Sequence, residues 1–158
     1  MMTIRPYKPS DSHAVWELHN LALQNTGAHL GNGGWDADLK DIPVVYEQNQ
    51  GCFLVGVLDG RIVAMGGVKR TDPNRAEIKR MRVHPDFQRR GYGTELLKAL
   101  ESEAMRLGYH VLHLETTTLQ TGAQKLYEKQ GYRIVRKGEV AGLKTLLYEK
   151  KLTMPDLS

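Results

Sequence analysis

One stretch of strand, short turn and helix, residues 77–107, constrains the fold of this chain more than any other. Its first part mixes branched and long apolar side chains with charges and ends at a His-Pro pair, which is typical of a strand. From Tyr92 onward the apolar residues recur with the period of a helix: Leu96, Leu97, Leu100, Ala104 and Leu107. Gly108 supplies the expected helix end. The strand and the helix are therefore joined by a turn at residues 88–93, Gln-Arg-Arg-Gly-Tyr-Gly.

This turn has the chemistry of a phosphate-binding site. The first N–H groups of a helix have no partner inside the helix, and the helix dipole adds about half a positive charge at that end. Gly91 and Gly93 lack a Cβ atom, so a diphosphate can approach the backbone closely. Arg89 and Arg90 add forked hydrogen-bond donors. The turn is neither a P-loop nor a complete dinucleotide fingerprint, since Leu96 stands in the place of a third glycine.

Two blocks of the sequence resemble the GNAT superfamily, the acyl-CoA-dependent N-acetyltransferases. Residues 88–93 match its Gln/Arg-x-x-Gly-x-Gly/Ala signature, and residues 123–132 resemble its Ala-x-x-Leu-Tyr-Glu-Lys-x-Gly-Phe/Tyr block. The opening at residues 4–7 is also usual for the family, while residues 27–51 are the least typical. The resemblance covers most of the chain. It implies an N-acetyltransferase in which the turn binds the diphosphate of acetyl-CoA.

Period and turn signals predict a mixed α/β fold with one layer of sheet covered by helices. Asp59-Gly60 between two apolar runs is a strong hairpin signal, because both residues of such a turn need positive φ. Strands are predicted at residues 3–7, 52–58, 61–69, 77–83, 110–117, 133–137 and 143–151. Helices are predicted from residues 9–12 onward and at 37–48, 92–107 and 122–130. The resemblance implies a GNAT-like, mostly antiparallel central sheet of six to seven strands flanked by helices.

The strand before the binding turn contains one irregularity. Met81 and Val83 fall on one face by strict alternation, whereas Ile78 falls on the other. A bulge at residues 79–80 would bring all three to the same side and leave backbone groups free. In GNAT proteins such a bulge accompanies a splay, which the resemblance places between this strand and the one at residues 110–117. There the pantetheine arm of the cofactor pairs with the backbone at the positions of Met81 and Val83.

The resemblance implies cofactor contacts from this strand, from the turn and from the approach to the last helix. The residues concerned are Met81, Arg82, Val83, Gln88, Arg89, Arg90, Gly91, Tyr92, Gly93, Thr94 and Gln120. Gln120 departs from the family pattern, because many relatives have Asn at that place. Its longer side chain can still reach the pantetheine amides. The departure from Asn leaves its role open.

Acetyl transfer needs an acid for the departing thiolate and a base for the amine. Tyr127 stands where many GNAT enzymes use the hydroxyl as general acid, and a group with a pKa of about 10 keeps its proton at neutral pH. A core tyrosine on an apolar face is the alternative. Glu77 precedes Gln88 by eleven positions, similar to the catalytic glutamate of the histone-acetylating branch. Glu115 is the other candidate base, and either carboxylate needs a water relay or a raised pKa. The alternative for Glu77 is a solvated charge beside Lys79.

The composition of the 158 residues, 41% hydrophobic and 25% charged, is that of a globular chain. We expect one GNAT domain over residues 1–158, large enough to bury a core. The single cysteine, Cys52, excludes an internal disulfide, and there is no long apolar run. We therefore expect a cytoplasmic protein that does not bind a membrane. The histidines lack partners at ligand spacing, so no metal is expected.

Two other functions are open at this stage. The net charge of +4 allows a nucleic-acid binder, but aromatic interleaving and a known binding module are absent, so we expect no nucleic acid as partner. A catalytically silent acyl-CoA-binding sensor or scaffold is the second alternative. The sequence leaves open which small-molecule or peptide amine is the acceptor, and also a homodimer. Trp35, Asp36 and Asp38 are candidates for an acceptor pocket that attracts a cation, although loop tryptophans usually just pack.

Overall fold

Seven strands form the central sheet of the computed structural model, which describes residues 1–26 and 34–153. They are β1 (Thr3–Pro6), β2 (Cys52–Leu58), β3 (Arg61–Asp72), β4 (Arg75–Val83), β5 (Val111–Thr117), β6 (Arg133–Val140) and β7 (Leu143–Lys151). Their order is β1-β2-β3-β4-β5-β7-β6, antiparallel throughout except for the parallel pair β4 and β5. Asp59 and Gly60 join β2 to β3 with φ angles of 49° and 78°, as the hairpin signal predicted. The predicted mixed, mostly antiparallel sheet is confirmed.

The described residues form four α-helices: α1 (Ser12–Thr26), α2 (Ile42–Val45), α3 (Tyr92–Arg106) and α4 (Thr121–Lys129). The helix predicted over residues 37–48 is wrong. Its place is taken by a 3-10 helix at Gly34–Lys40, the four-residue α2 and a 3-10 turn at Glu47–Asn49. Pro43 has no N–H and fits only in the first turn of a helix, so it separates these pieces. Within the described ranges, none of the helices is long and apolar enough to cross a membrane. The cytoplasmic location stays a prediction.

Apolar side chains cover both faces of the sheet. Successive residues of a strand point to opposite faces, and in β2 Leu54 packs toward α3 while Phe53 and Val55 pack toward α1. The α3-side cluster includes Leu96, Leu97 and Leu100. The α1-side cluster includes Val15, Leu18, Tyr46 and Met65. Removing these side chains from water is the main force that fixes both helices against the sheet.

A bulge in β4 lies where the sequence predicted it. Lys79 pairs with Gly67 and Arg82 pairs with Met65, so β4 has one residue more than β3 between these two rungs. Arg80, within the bulge, has a positive φ of 59°. The predicted consequence follows, because three side chains share the α3-side cluster: Ile78, Met81 and Val83. Arg82 instead faces α1, since its rung partner Met65 belongs to the α1-side cluster.

The sheet opens between β4 and β5. The two strands pair only at their start, where residues 75–77 of β4 meet residues 111–113 of β5. Beyond Glu77 and His113 they carry no further rung, although both strands continue. The predicted splay is therefore present, and it leaves backbone groups of both strands without a sheet partner.

Candidate active site

A cleft of about 170 Å³ occupies the splay between β4 and β5. Six of the residues predicted for the site line it: Glu77, Met81, Arg82, Glu115, Gln120 and Tyr127. The other predicted residues lie outside its lining: Val83 ends β4, and the rest belong to the turn and the first residues of α3. The fold therefore brings both candidate bases and the candidate acid to one cavity.

Tyr127 of α4 is buried, with 5% of its surface exposed. Its ring packs against Tyr132 and Tyr148, with centroid distances of 5.8 and 5.9 Å. Among the described residues its hydroxyl has no hydrogen-bond partner. Burial raises the pKa of Tyr127 to about 12, and the charge of Arg82 partly opposes this rise. The group therefore keeps its proton at neutral pH and has the hydroxyl free for a ligand in the cleft.

The two candidate bases border the cleft from different strands. Glu77 of β4 forms the last rung with His113 of β5, where the strands begin to separate. Glu115 lies two residues further along β5 and is exposed. Burial lowers the pKa of His113, whose Nε2 lies 2.8 Å from Thr71 Oγ1. The geometry leaves both carboxylates in reach of a water in the cleft and gives no preference between them.

The turn before α3 has the open backbone that its sequence predicted. Arg89 and Gly91 have positive φ angles of 64° and 83°, and Gly91 is the N-cap of α3 with no side-chain cap. A Cβ atom at Gly91 would meet nothing within 4 Å. The Gln88 amide donates to Val83 O at 3.2 Å, and the Arg90 guanidinium lies over a neighbouring phenylalanine ring. The first N–H groups of α3 thus start at an uncapped, accessible end.

Gly93 has a different reason for lacking a side chain. A Cβ atom there would lie 3.2 Å from Leu126 Cδ2 of α4 and 3.7 Å from Val83 Cγ2. The second glycine of the motif therefore allows α3, α4 and the end of β4 to approach each other closely. This close packing places Tyr127, the neighbour of Leu126, at the splay.

The side chain of Gln120 is hydrogen-bonded to the end of β5. Its Oε1 accepts from Thr116 Oγ1, Thr117 N and Thr117 Oγ1, each at 3.1 Å. The side-chain oxygen is therefore used inside the protein, and only the amide nitrogen is left for a ligand. Its predicted contact with the cofactor stays a prediction.

Pairings on the α1 face were not predicted from the sequence. Asp38 accepts from Arg80 Nη2 at 2.7 Å and Nε at 3.0 Å, and the Tyr46 hydroxyl donates to it at 2.5 Å. Arg80 and Tyr46 hold the pKa of Asp38 at about 2 against the opposing effect of burial. Asp36, which is 2% exposed, lies 2.8 Å from His19 Nε2. Burial, with the charge of Arg82, lowers the pKa of His19 to about 4.

The interpretation of Asp36 and Asp38 as attractants for a cationic acceptor is wrong. Both carboxylates point into the protein and are bonded there, and neither lines the cleft. The side chain of Trp35 lies outside the described residues. Arg80 and Arg82 line the cleft instead, so its α1 side is cationic. The pairings join residues 17 and 42 positions apart, which no local signal in the sequence reveals.

Nucleophilic and metal chemistry receive no support from the described residues. Burial raises the pKa of the Cys52 thiol to about 12, so it is not a thiolate at neutral pH. Within residues 1–26 and 34–153, no three His, Cys, Asp or Glu side chains are grouped so that they could hold a metal ion. The absence of a metal from the reaction stays a prediction.

Comparison with protein families gives one match over most of the chain. The model of the acetyltransferase (GNAT) family matches residues 13–132. The chain belongs to this family. Membership identifies it as an acyltransferase, as the sequence motifs predicted.

Curated relatives of this GNAT protein fall into two groups by coverage. An acetyltransferase of Pectobacterium atrosepticum is 30% identical over 139 residues, which covers 85% of this chain and 89% of that protein. The N-acetylaspartate synthetase of Danio rerio is 36% identical over 104 residues, 65% of this chain and 37% of that protein. The match therefore spans little more than a third of the N-acetylaspartate synthetase.

Solved structures share the fold of this GNAT protein. A GNAT-family acetyltransferase of Staphylococcus aureus superimposes with a TM-score of 0.89 at 20% identity, covering 97% of this chain and all of the other. The yncA protein of Salmonella typhimurium, solved with its cofactor acetyl-CoA, gives a TM-score of 0.80 at 24% identity over the whole of this chain and 99% of the other. At such identities the likeness shows the fold, and the predicted GNAT fold class is confirmed.

Proposed function

We propose that this protein transfers the acetyl group of acetyl-CoA directly to a primary amine, and that Tyr127 is the general acid. The buried Tyr127 hydroxyl, which has no partner in the described residues and lines the cleft at the splay, is the observation that carries the proposal. A phenol with a raised pKa is a poor acid toward water but a suitable one toward a thiolate, whose basicity is closer to its own.

The cofactor has a path along the end of β4. The diphosphate binds the uncapped N–H groups at Gly91–Thr94 with help from Arg89 and Arg90. The pantetheine arm runs along the side of residues 81–83 that faces the splay, where β4 has no rung with β5, and this brings the thioester into the splay. An unpaired N–H of β4 there polarises the thioester carbonyl.

The reaction needs two proton transfers. Glu77 or Glu115 takes the proton of the ammonium group through a water molecule, because a carboxylate is a weak direct base for it. The neutral nitrogen then attacks the thioester carbon, the C–N bond forms and the C–S bond breaks. The leaving thiolate takes the Tyr127 proton, and the second amine proton leaves through solvent to restore the tyrosine. The net products are the amide, coenzyme A thiol and one proton.

The acceptor is the part of the proposal with least support. Residues 27–51 resemble the family least, and they include a segment next to the cationic side of the cleft. Some curated relatives are named for N-acetylaspartate, so amino acids are the first acceptors to test. The predicted single domain and homodimer remain proposals that gel filtration can examine.

Thiol release from acetyl-CoA across a panel of amino acids, simple amines, polyamines and peptides tests the function. We expect release with at least one amine, and a fall of about 10²-fold or more in kcat for Tyr127→Phe. The dissociation constant of acetyl-CoA should change little, because the variant removes only a hydroxyl. Tyr148→Phe is the matched control, since its ring packs on Tyr127 but does not line the cleft.

Two outcomes would contradict the proposal. Tight acetyl-CoA binding without thiol release for any amine would favour the acyl-CoA sensor or scaffold. A Tyr127→Phe variant as fast as Tyr148→Phe would remove the hydroxyl from the mechanism.

A further inference from the structure

Arg82 lines the cleft as a cation that has no counterion in the part of the chain that the structure describes. Its Nη1 donates to Met81 O at 3.0 Å, while its Nε is buried without a hydrogen-bond partner. Among the described residues it forms no ion pair. Burial and the charge of Arg80 lower the pKa of Arg82 to about 10, which is unusual for a guanidinium. The group is charged at neutral pH and incompletely neutralised.

Arg80, which also lies on the α1 side of the cleft, differs from Arg82 because a carboxylate neutralises it. Arg80 binds both oxygens of Asp38. Asp36 is bonded to His19. These two carboxylates are therefore engaged elsewhere, and the Nε of Arg82, which lines the cavity, has no partner among the described residues. A buried charge of this kind destabilises the protein unless an anion neutralises it.

We propose that the amine acceptor carries a carboxylate, and that the Arg82 guanidinium binds it in the cleft. This inference rests on the proposed acetyl transfer. The coenzyme A phosphates are a poorer candidate for this anion, because the turn at residues 88–93 already offers them open N–H groups and two exposed arginines. Arginine suits a carboxylate better than lysine does, since its planar fork binds both oxygens. The acceptor is thus an amino acid or a related amino carboxylate.

Pairs of acceptors that differ only in the carboxylate test whether its charge is required. L-Aspartate and L-leucine are compared with L-aspartic acid diamide and L-leucinamide in the thiol-release assay. The amines of the amides are less basic, so more of each amide is in the neutral form that attacks the thioester. A preference for the free acids therefore cannot come from the protonation of the amine. We expect kcat/KM about 10- to 10²-fold higher for one free acid than for its amide, the range that a buried charged hydrogen bond supplies.

Three variants assign that preference to Arg82. Arg82→Met should lose most of it through a higher KM for the acid. Arg82→Lys should retain part of it. Arg136→Met, at an exposed arginine of β6, is the control and should behave as the wild type. Because Arg82→Met removes an uncompensated charge, its melting temperature should equal or exceed that of the wild type, which excludes misfolding as the cause.

The outcomes separate this inference from the proposed function. A wild type that prefers the amides, or an Arg82→Met variant that keeps the preference for the acid, overturns the inference.

If no amine releases thiol, the proposed acetyl transfer is wrong, and the inference is then tested by calorimetry. L-aspartate or N-acetyl-L-aspartate must then bind the coenzyme A complex of the wild type, and not that of Arg82→Met. Equal or absent binding to both proteins would overturn it too. A weaker affinity for acetyl-CoA in Arg82→Met would assign the cation to the cofactor instead.

Discussion

Two pairs of arginines follow each other closely in the sequence and lie in opposite environments. Arg89 and Arg90 are exposed in the turn before α3, whereas Arg80 and Arg82 are largely enclosed between the sheet and the α1 face. An exposed pair costs little to maintain and contributes modestly when an anion arrives. An enclosed cation is costly unless an anion is paired with it. Arg80 is paired with Asp38, whereas Arg82 forms no ion pair within residues 1–26 and 34–153. We propose that the turn attracts a phosphate, whereas Arg82 of the enclosed pair selects the acceptor.

The largest expected effect is on the enclosed pair. Asp38→Ala removes the carboxylate that Arg80 binds through two nitrogens and leaves Asp36, 4.0 Å from Arg80 Nη1, as a more distant carboxylate. The free energy of unfolding in urea should fall by about 3 to 5 kcal/mol. Asp41→Ala, at an exposed carboxylate nearby, is the control and should change it by less than about 0.5 kcal/mol. A loss below about 1 kcal/mol in Asp38→Ala would mean that the enclosed pair is no more demanding than the exposed one.

A pH titration sharpens the same comparison. The pKa of His19 is about 4 in the folded protein and about 6.5 in the unfolded chain, so below pH 6.5 the unfolded chain binds more protons. The stability that this group contributes is full above pH 6.5 and is lost as the pH falls toward 4. Between pH 7 and 5 the wild type should lose about 2 kcal/mol more than His19→Gln. His110→Gln, at an exposed histidine, should follow the wild type, and identical pH curves for all three would contradict the assignment.

The exposed pair should show a smaller effect, confined to the cofactor. Replacing Arg89 and Arg90 together by Ala should raise the dissociation constant of acetyl-CoA about tenfold at low salt and leave stability unchanged. The difference should shrink as salt is added, because exposed charges are screened. Replacing Arg133 and Arg136, an exposed pair on β6, is the control. Equal affinities in the two double variants would remove the turn arginines from cofactor binding.

The smallest effect concerns the backbone of the turn. Gly91 has a φ of 83°, so Gly91→Ala should destabilise the fold by about 1 kcal/mol through strain alone. Gly91→Asn should cost less, since asparagine tolerates the left-handed region better. Thermal melts of both variants measure the difference. An alanine variant as stable as the wild type would show that the turn is not held in this conformation.

The turn, the hairpin and the bulge could be predicted from the sequence because their signals are local. The Gly91 turn, the Asp59-Gly60 hairpin and the bulge at Arg80 each depend on residues next to each other in the chain. Turn geometry and alternation are decided over a few positions, so the predicted elements agree with the structure there.

The enclosed half could not be predicted, because it is made by tertiary contacts. Asp38 reaches Arg80 across 42 positions, and it comes from the region where one regular helix was wrongly expected. The hydrogen bond that Gln120 Oε1 accepts from Thr117 N at the end of β5 likewise depends on where α4 begins. The position of Tyr127 at the splay was accessible only through the family resemblance, since its spacing alone is that of a core residue. An arginine such as Arg82, which is enclosed and forms no ion pair among the residues that the structure describes, has no signature in the sequence.

A crystal structure with coenzyme A would test the central claim most directly, that the cofactor runs from the turn into the splay. We predict the diphosphate on the N–H groups of residues 91–94 and the thiol sulfur within hydrogen-bond reach, roughly 3 to 3.5 Å, of the Tyr127 hydroxyl. The Arg82 guanidinium should stay unoccupied by the cofactor. A diphosphate on Arg82, or a thiol remote from Tyr127, would contradict the account.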